Sequence, residues 1–159
     1  MHCTVKRLFL FLLSSLLLCA CAKETTVELV RVSDTGCSTR EIIATKSGGG
    51  ADSQLILEYS AQGLVITRTN ALLNCSVGNG GVGCNVSNSG NTIECEVFEN
   101  DQNFLRCNCR VGAITSVIGG LRLGEEYTLY HHSDGVFGPV VFTYTKDLRM
   151  VLDADQYMH

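Results

Sequence analysis

The residues able to do chemistry in this chain are nine cysteines and a short run of histidines with an acid. Cys3, Cys19 and Cys21 crowd the N-terminal end, and Cys37, Cys75, Cys84, Cys95, Cys107 and Cys109 are spread through the body. Structural zinc calls for paired Cys-x-x-Cys ligands, whereas the one close pair in the body is Cys107-Asn108-Cys109. A redox centre of the Cys-x-x-Cys kind at a helix N-terminus is equally missing. His131-His132-Ser133-Asp134 is the other cluster with metal-ligand or acid–base potential. Adjacent histidines on a strand point to opposite faces, so they do not share one metal easily. His131 is expected on the apolar side and His132 in solvent.

Two further patterns invite a reading and give little. Gly78-Asn79-Gly80-Gly81-Val82-Gly83 matches a dinucleotide-binding glycine pattern, but that motif works only where a helix follows to meet a pyrophosphate. The segment Cys84–Gly90 is no helix former. Glu94, Glu96, Glu99 and Asp101 make an acidic edge beside Arg106 and Arg110. Cross-strand Glu–Arg pairs account for it, with a weak calcium site as the competing reading. Neither a nucleophile elbow nor an HExxH helix occurs, so hydrolase readings lack support. No cofactor and no metal are expected, and the protein reads as a non-enzyme. An enzyme built on His131 or His132 with Asp134 is an alternative.

The elements that must position these residues begin after a leader. Lys6 and Arg7 precede an apolar run, Leu8 to Leu18, broken only by Ser14 and Ser15. A basic start, a short apolar core and small residues at Ala20-Cys21 describe a secretory signal over residues 1–20. The run is short for a membrane span, which needs roughly 20 residues. Leu18-Cys19-Ala20-Cys21 resembles the bacterial lipobox, which implies cleavage after Ala20 and acylation of Cys21. Residues 21–25 are then a lipidated tether. Lys23-Glu24 resembles the charged signals that send Bacteroidota lipoproteins to the cell surface. Losing Lys6 and Arg7 from 12 Lys+Arg leaves 10 against 16 Asp+Glu, a net charge near −6. That argues against a nucleic-acid partner, which wants a basic face.

After the leader and Cys21, six cysteines remain, and an even number in an exported chain reads as three disulfides. Cys107 and Cys109 share one strand face and are expected to reach different partners. One solution pairs Cys95 with Cys107, Cys75 with Cys84 across a glycine-rich loop, and Cys37 with Cys109. A competing one takes Cys75 into the core to meet Cys107 or Cys109. Each bridge would stabilise by roughly 2–4 kcal/mol.

Period-2 patterning dominates the body. Strands are expected over Thr25–Val32, Glu41–Thr45, Ser53–Ser60, Leu64–Thr69 with a continuation through Asn70–Val77, Ile114–Ile118, Glu126–His132, Val140–Thr145 and Leu148–Leu152. Asn91–Phe98 and Phe104–Val111 both alternate and read as a central hairpin turning at Glu99–Asn103, its cysteines inward. Ser47–Asp52 and Gly78–Gly90 read as loops. The single proline, Pro139, suits a sheet edge or strand start. Leu121, Gly124 and Tyr127 resemble the tyrosine corner of immunoglobulin-like sandwiches, where the tyrosine hydroxyl bonds backbone upstream. The fold expected is all-β: an immunoglobulin-like, Greek-key β-sandwich of about 8–10 short strands, one domain over residues 26–159.

The stretch TRTNALLNC (67–75), the Cys107–Cys109 strand and the segment IGGLRLGEEYTL (118–129) together resemble a group of small Bacteroidota lipoproteins. The resemblance implies an exported, outer-membrane lipoprotein with a disulfide-containing β-sandwich, and it brings no catalytic residues. The expectation is therefore a membrane-tethered envelope protein whose loops, Ser47–Asp52 and Gly78–Gly90, bind another envelope protein or a glycan. The alternative is an accessory structural subunit of an envelope assembly, docking by a strand edge.

Overall fold

The computed structural model describes residues 26–41, 53–77, 80–100, 105 and 107–159. The leader, the tether with Cys21, the loop Ser47–Asp52, Gly78, Asn79, Asp101 and Arg106 lie outside them. Ten strands run in the order β1 Glu28–Asp34, β2 Cys37–Glu41, β3 Gln54–Ser60, β4 Gly63–Asn74, β5 Val82–Ser89, β6 Thr92–Glu99, β7 Asn108–Gly119, β8 Glu126–His132, β9 Val136–Thr143 and β10 Arg149–Asp153. A single turn of helix, α1 Ala154–Tyr157, follows β10, and Met158 then bridges to Phe137 of β9.

Two sheets face each other as an all-β sandwich. The larger has the order β1-β7-β4-β3-β10, with β2 beside β1 along the same edge of β7. The smaller has the order β5-β6-β8-β9. Alternation decides which side chains face inward. On β3 and β4, Leu55, Leu57, Leu64 and Ile66 are fully buried. On the facing sheet Ile93, Cys95, Tyr127, Leu129 and Phe137 are fully or almost fully buried. Each large apolar side chain so placed stabilises by about 1.5–3 kcal/mol, which makes this layer the main source of stability.

The β3–β4 hairpin forms where the pattern expects it, turning at Ala61-Gln62. Gly63 is required there: its φ is +141°, and a Cβ would stand 2.1 Å from the Ile118 carbonyl oxygen. The tyrosine corner is present as well. The Arg122 backbone N–H donates to the Tyr127 hydroxyl oxygen at 3.0 Å. Pro139 sits on β9, an edge strand, where a missing N–H removes no internal ladder bond.

The central hairpin does not form. Strand β6 belongs to the smaller sheet and β7 to the larger, so the chain crosses the sandwich between them. Both strands have a dry face because both cover one core from opposite sides. In place of that hairpin, β6 pairs antiparallel with β5 and parallel with β8. The segment Gly78–Gly90, expected as a loop, is mostly strand β5, and it turns into β6 at Gly90-Asn91. The strand expected at Glu41–Thr45 is placed earlier, at Cys37–Glu41, and residues 42–45 are outside the described set.

The open sides of the sandwich are closed by polar contacts. Asn88 accepts from the Val27 backbone N–H at 3.1 Å, and Asp34 accepts from the Val82 N–H at 3.3 Å, joining β1 to β5. Glu99 accepts from the Asn74 N–H at 2.8 Å, joining the end of β6 to the end of β4.

Candidate functional site

Two disulfides lie at one end of the larger sheet. Cys37 bonds Cys109, linking β2 to β7, and Cys75 bonds Cys107 just beyond the ends of β4 and β7. Cys107 and Cys109 therefore do take different partners. The bridge expected between Cys95 and Cys107 does not form, because Cys107 is bonded to Cys75 and Cys95 lies on β6 of the other sheet beside Cys84. Nor does Cys75 close a loop with Cys84, since Cys75 is bonded to Cys107 and Cys84 is committed to β5. Cys84 and Cys95 are unbonded thiols with their sulfurs 3.2 Å apart.

The His131–Asp134 cluster divides as strand geometry demands. His131 is 1% exposed and points into the core, while His132 points outward. Asp134, in the β8–β9 turn, folds inward to a residue that sequence reading did not single out. Arg68 on β4 is 0% exposed and places its Nη2 at 3.0 and 3.2 Å from the two Asp134 oxygens. The same carboxylate accepts from the Leu72 N–H at 2.9 Å and the Ser133 hydroxyl at 2.9 Å. Arg68 also donates to Ser53 and lies 4.8 Å over the Phe137 ring. Burial pulls its guanidinium pKa down, and the Asp134 charge opposes that. The signal was in the pattern: Leu64, Ile66 and Arg68 share one parity, so Arg68 occupies a core position.

This cluster is chemically quiet. Burial, aided by the Arg68 charge, holds the His131 pKa down to about 3, so the imidazole stays neutral in the fold near pH 7. A general acid or base works best with a pKa near the operating pH and needs a substrate within reach. His131 has neither. Asp134 is saturated with donors and tied to an arginine, which suits a brace between the sheets.

The outward face of the smaller sheet is different. Asn85 and Ser87 on β5, Glu94 and Glu96 on β6 and His132 on β8 line one depression of about 290 Å³. Register places Asn85 opposite Glu96 and Ser87 opposite Glu94, with Glu96 beside His132 and Glu94 beside Tyr130. His132 Nε2 and Glu94 Oε2 are 2.7 Å apart, with the side chains 40% and 46% exposed. Such a solvated pair contributes about 0–1 kcal/mol, so a ligand can exchange these contacts at low cost. Tyr130 points to the same outer face, its ring against Gly138, where a Cβ would stand 3.0 Å from Cδ1.

Among the described residues Glu94 and Glu96 lie on the sheet opposite Arg110, which donates to the Asn70 carbonyl, and the expected partners Asp101 and Arg106 fall outside those residues. Glu94 turns to His132 and Glu99 to the Asn74 N–H. Among the described residues, no group of three or more His, Cys, Asp or Glu is placed to hold a metal ion. Asn85 and Ser87 escaped sequence reading because they lie in the stretch read as loop. The chain matches no family model, no curated protein and no solved structure.

Proposed function

We propose that this protein is a non-enzymatic binding module of the cell envelope, tethered through acyl chains on Cys21, that holds a neutral glycan on the outer face of its smaller sheet. The tether rests on the leader and on the Leu-x-Ala-Cys pattern at residues 18–21. One acyl chain anchors only marginally, whereas the multiple chains of a lipobox cysteine anchor stably.

The observation that carries the binding reading is the depression lined by Asn85, Ser87, Glu94, Glu96 and His132. None of these side chains is used by the core. Carboxylates accept from sugar hydroxyls, while the Asn85 amide and the His132 ring N–H can donate back. Tyr130 adds an apolar ring on the same face. Two carboxylates repel phosphate and acidic sugars, which favours a neutral polyol. The binding surface on this reading is a strand face and not the glycine-rich loops.

A panel of neutral and acidic envelope glycans, titrated calorimetrically against the wild-type domain, tests the idea. A neutral glycan is expected to bind, and Glu96→Ala and Asn85→Ala are each expected to weaken it about tenfold, a loss of about 1.4 kcal/mol. Both side chains are exposed, so folding is unaffected. No neutral ligand in the panel, or binding indifferent to both substitutions, refutes the proposal.

A further inference from the structure

The two thiols left over by the disulfides are placed to react with each other. Cys84 stands opposite Val97 and Cys95 opposite Val86, so the two cysteines are diagonal neighbours on the inner face of the β5–β6 hairpin. Their sulfurs are 3.2 Å apart. Cys37, Cys75, Cys107 and Cys109 are bonded among themselves at the larger sheet. Among the described cysteines each of the pair therefore has only the other within reach.

The two positions are not equivalent. Cys84 lies on β5, an edge strand, and retains 7% exposure. Cys95 lies on β6, covered by β5 on one side and β8 on the other, and is fully buried. An external reagent can meet Cys84 after a small movement of the edge strand. It can meet Cys95 only by opening the sheet.

We infer that Cys84 and Cys95 are a redox-active dithiol, in which Cys84 exchanges with an external disulfide and Cys95 then resolves the mixed disulfide to close a third intramolecular bond. With glutathione disulfide as oxidant the atoms balance. The Cys84 thiolate attacks one glutathione sulfur, and one glutathione leaves as thiolate. Cys95 loses its proton and attacks Cys84 Sγ, and the second glutathione leaves as thiolate. The protein loses two thiols and two glutathione thiols appear.

The electrostatics run the same way. The hydrogen bond from the Cys95 thiol lowers the Cys84 pKa to about 7, against the opposing effect of burial. The same hydrogen bond, then burial, raises that of Cys95. The proton thus rests on Cys95 while Cys84 carries the nucleophilic thiolate. This asymmetry divides the labour between an attacking and a resolving thiol.

The test is peptide mapping of the purified full chain without reduction, before and after incubation with glutathione disulfide at pH 8. A Cys84–Cys95 cross-link in either sample is expected. In Cys95→Ser, glutathione is expected on Cys84 as a stable mixed disulfide. In Cys84→Ser, Cys95 is expected to stay unmodified over the same period, at least tenfold slower. Unmodified Cys84 and Cys95 in the treated wild type, cross-links to other cysteines, or equal modification of the two single variants overturns the inference. Retained β-sheet circular dichroism in both variants separates a chemical result from unfolding.

Discussion

Replacing Asp134 by alanine probes the brace between the two sheets. Arg68 is 0% exposed and the Asp134 side chain 5%, so neither charge has water to fall back on. The carboxylate takes two contacts from Arg68 Nη2, one from the Leu72 N–H and one from Ser133. Alanine removes all four and leaves a guanidinium in the core with Phe137 on one face. Breaking a buried pair from one side costs about 3–5 kcal/mol, mostly from the stranded charge and not from the lost attraction. For a domain of this size that corresponds to a fall of about 10–15 °C in Tm. Urea unfolding followed by circular dichroism, with m unchanged, measures it. The double variant Asp134→Leu with Arg68→Met removes both charges and is expected to recover most of the loss, because buried ion pairs are often no better than well-packed apolar side chains. A single-variant cost below about 1 kcal/mol would mean that Arg68 reaches solvent on losing its partner, and the buried-brace reasoning would be refuted.

Two other outcomes follow from the same physics. His131 has a folded pKa of about 3, below the ordinary value of 6.5. The unfolded chain therefore binds the extra proton first, so this group's contribution to stability is intact above pH 6.5 and is lost as pH falls toward 3. About 2 kcal/mol is expected to disappear between pH 7 and pH 5 by urea titration, and His131→Gln is expected to flatten that slope; an unchanged slope would place the proton uptake elsewhere. Tyr127→Phe deletes the acceptor for the Arg122 N–H and is expected to cost about 1–2 kcal/mol in the same assay, with no change in sheet content.

Much of the local structure was legible because it follows from parity and from single residues. The alternation around Leu64 and Ile66, with Gly63 just before, specifies the β3–β4 hairpin. The parity of Tyr127, Leu129 and His131 correctly puts all three inside and His132 outside. The spacing of Leu121, Gly124 and Tyr127 gives the corner, and Pro139 marks an edge. Strand β5 was misread because glycine, asparagine and serine outweighed a real alternation of Val82, Cys84 and Val86. The two-residue Gly90-Asn91 turn between Ser89 and Thr92 was the available signal.

What the sequence alone determined is which side of each strand is dry and that the cysteines face inward. It could not say which sheet a strand joins, because both sheets of a sandwich bury their inner faces in one core and leave the same period-2 trace. Only the tertiary structure decided that β6 and β7 part company. That decision separates Cys95 from Cys107, frees Glu94 and Glu96 from Arg110, and sets them beside His132, Asn85 and Ser87. It also brings Asp134 to Arg68, a contact 66 residues apart along the chain, which depends on how two sheets stack and has no local signature.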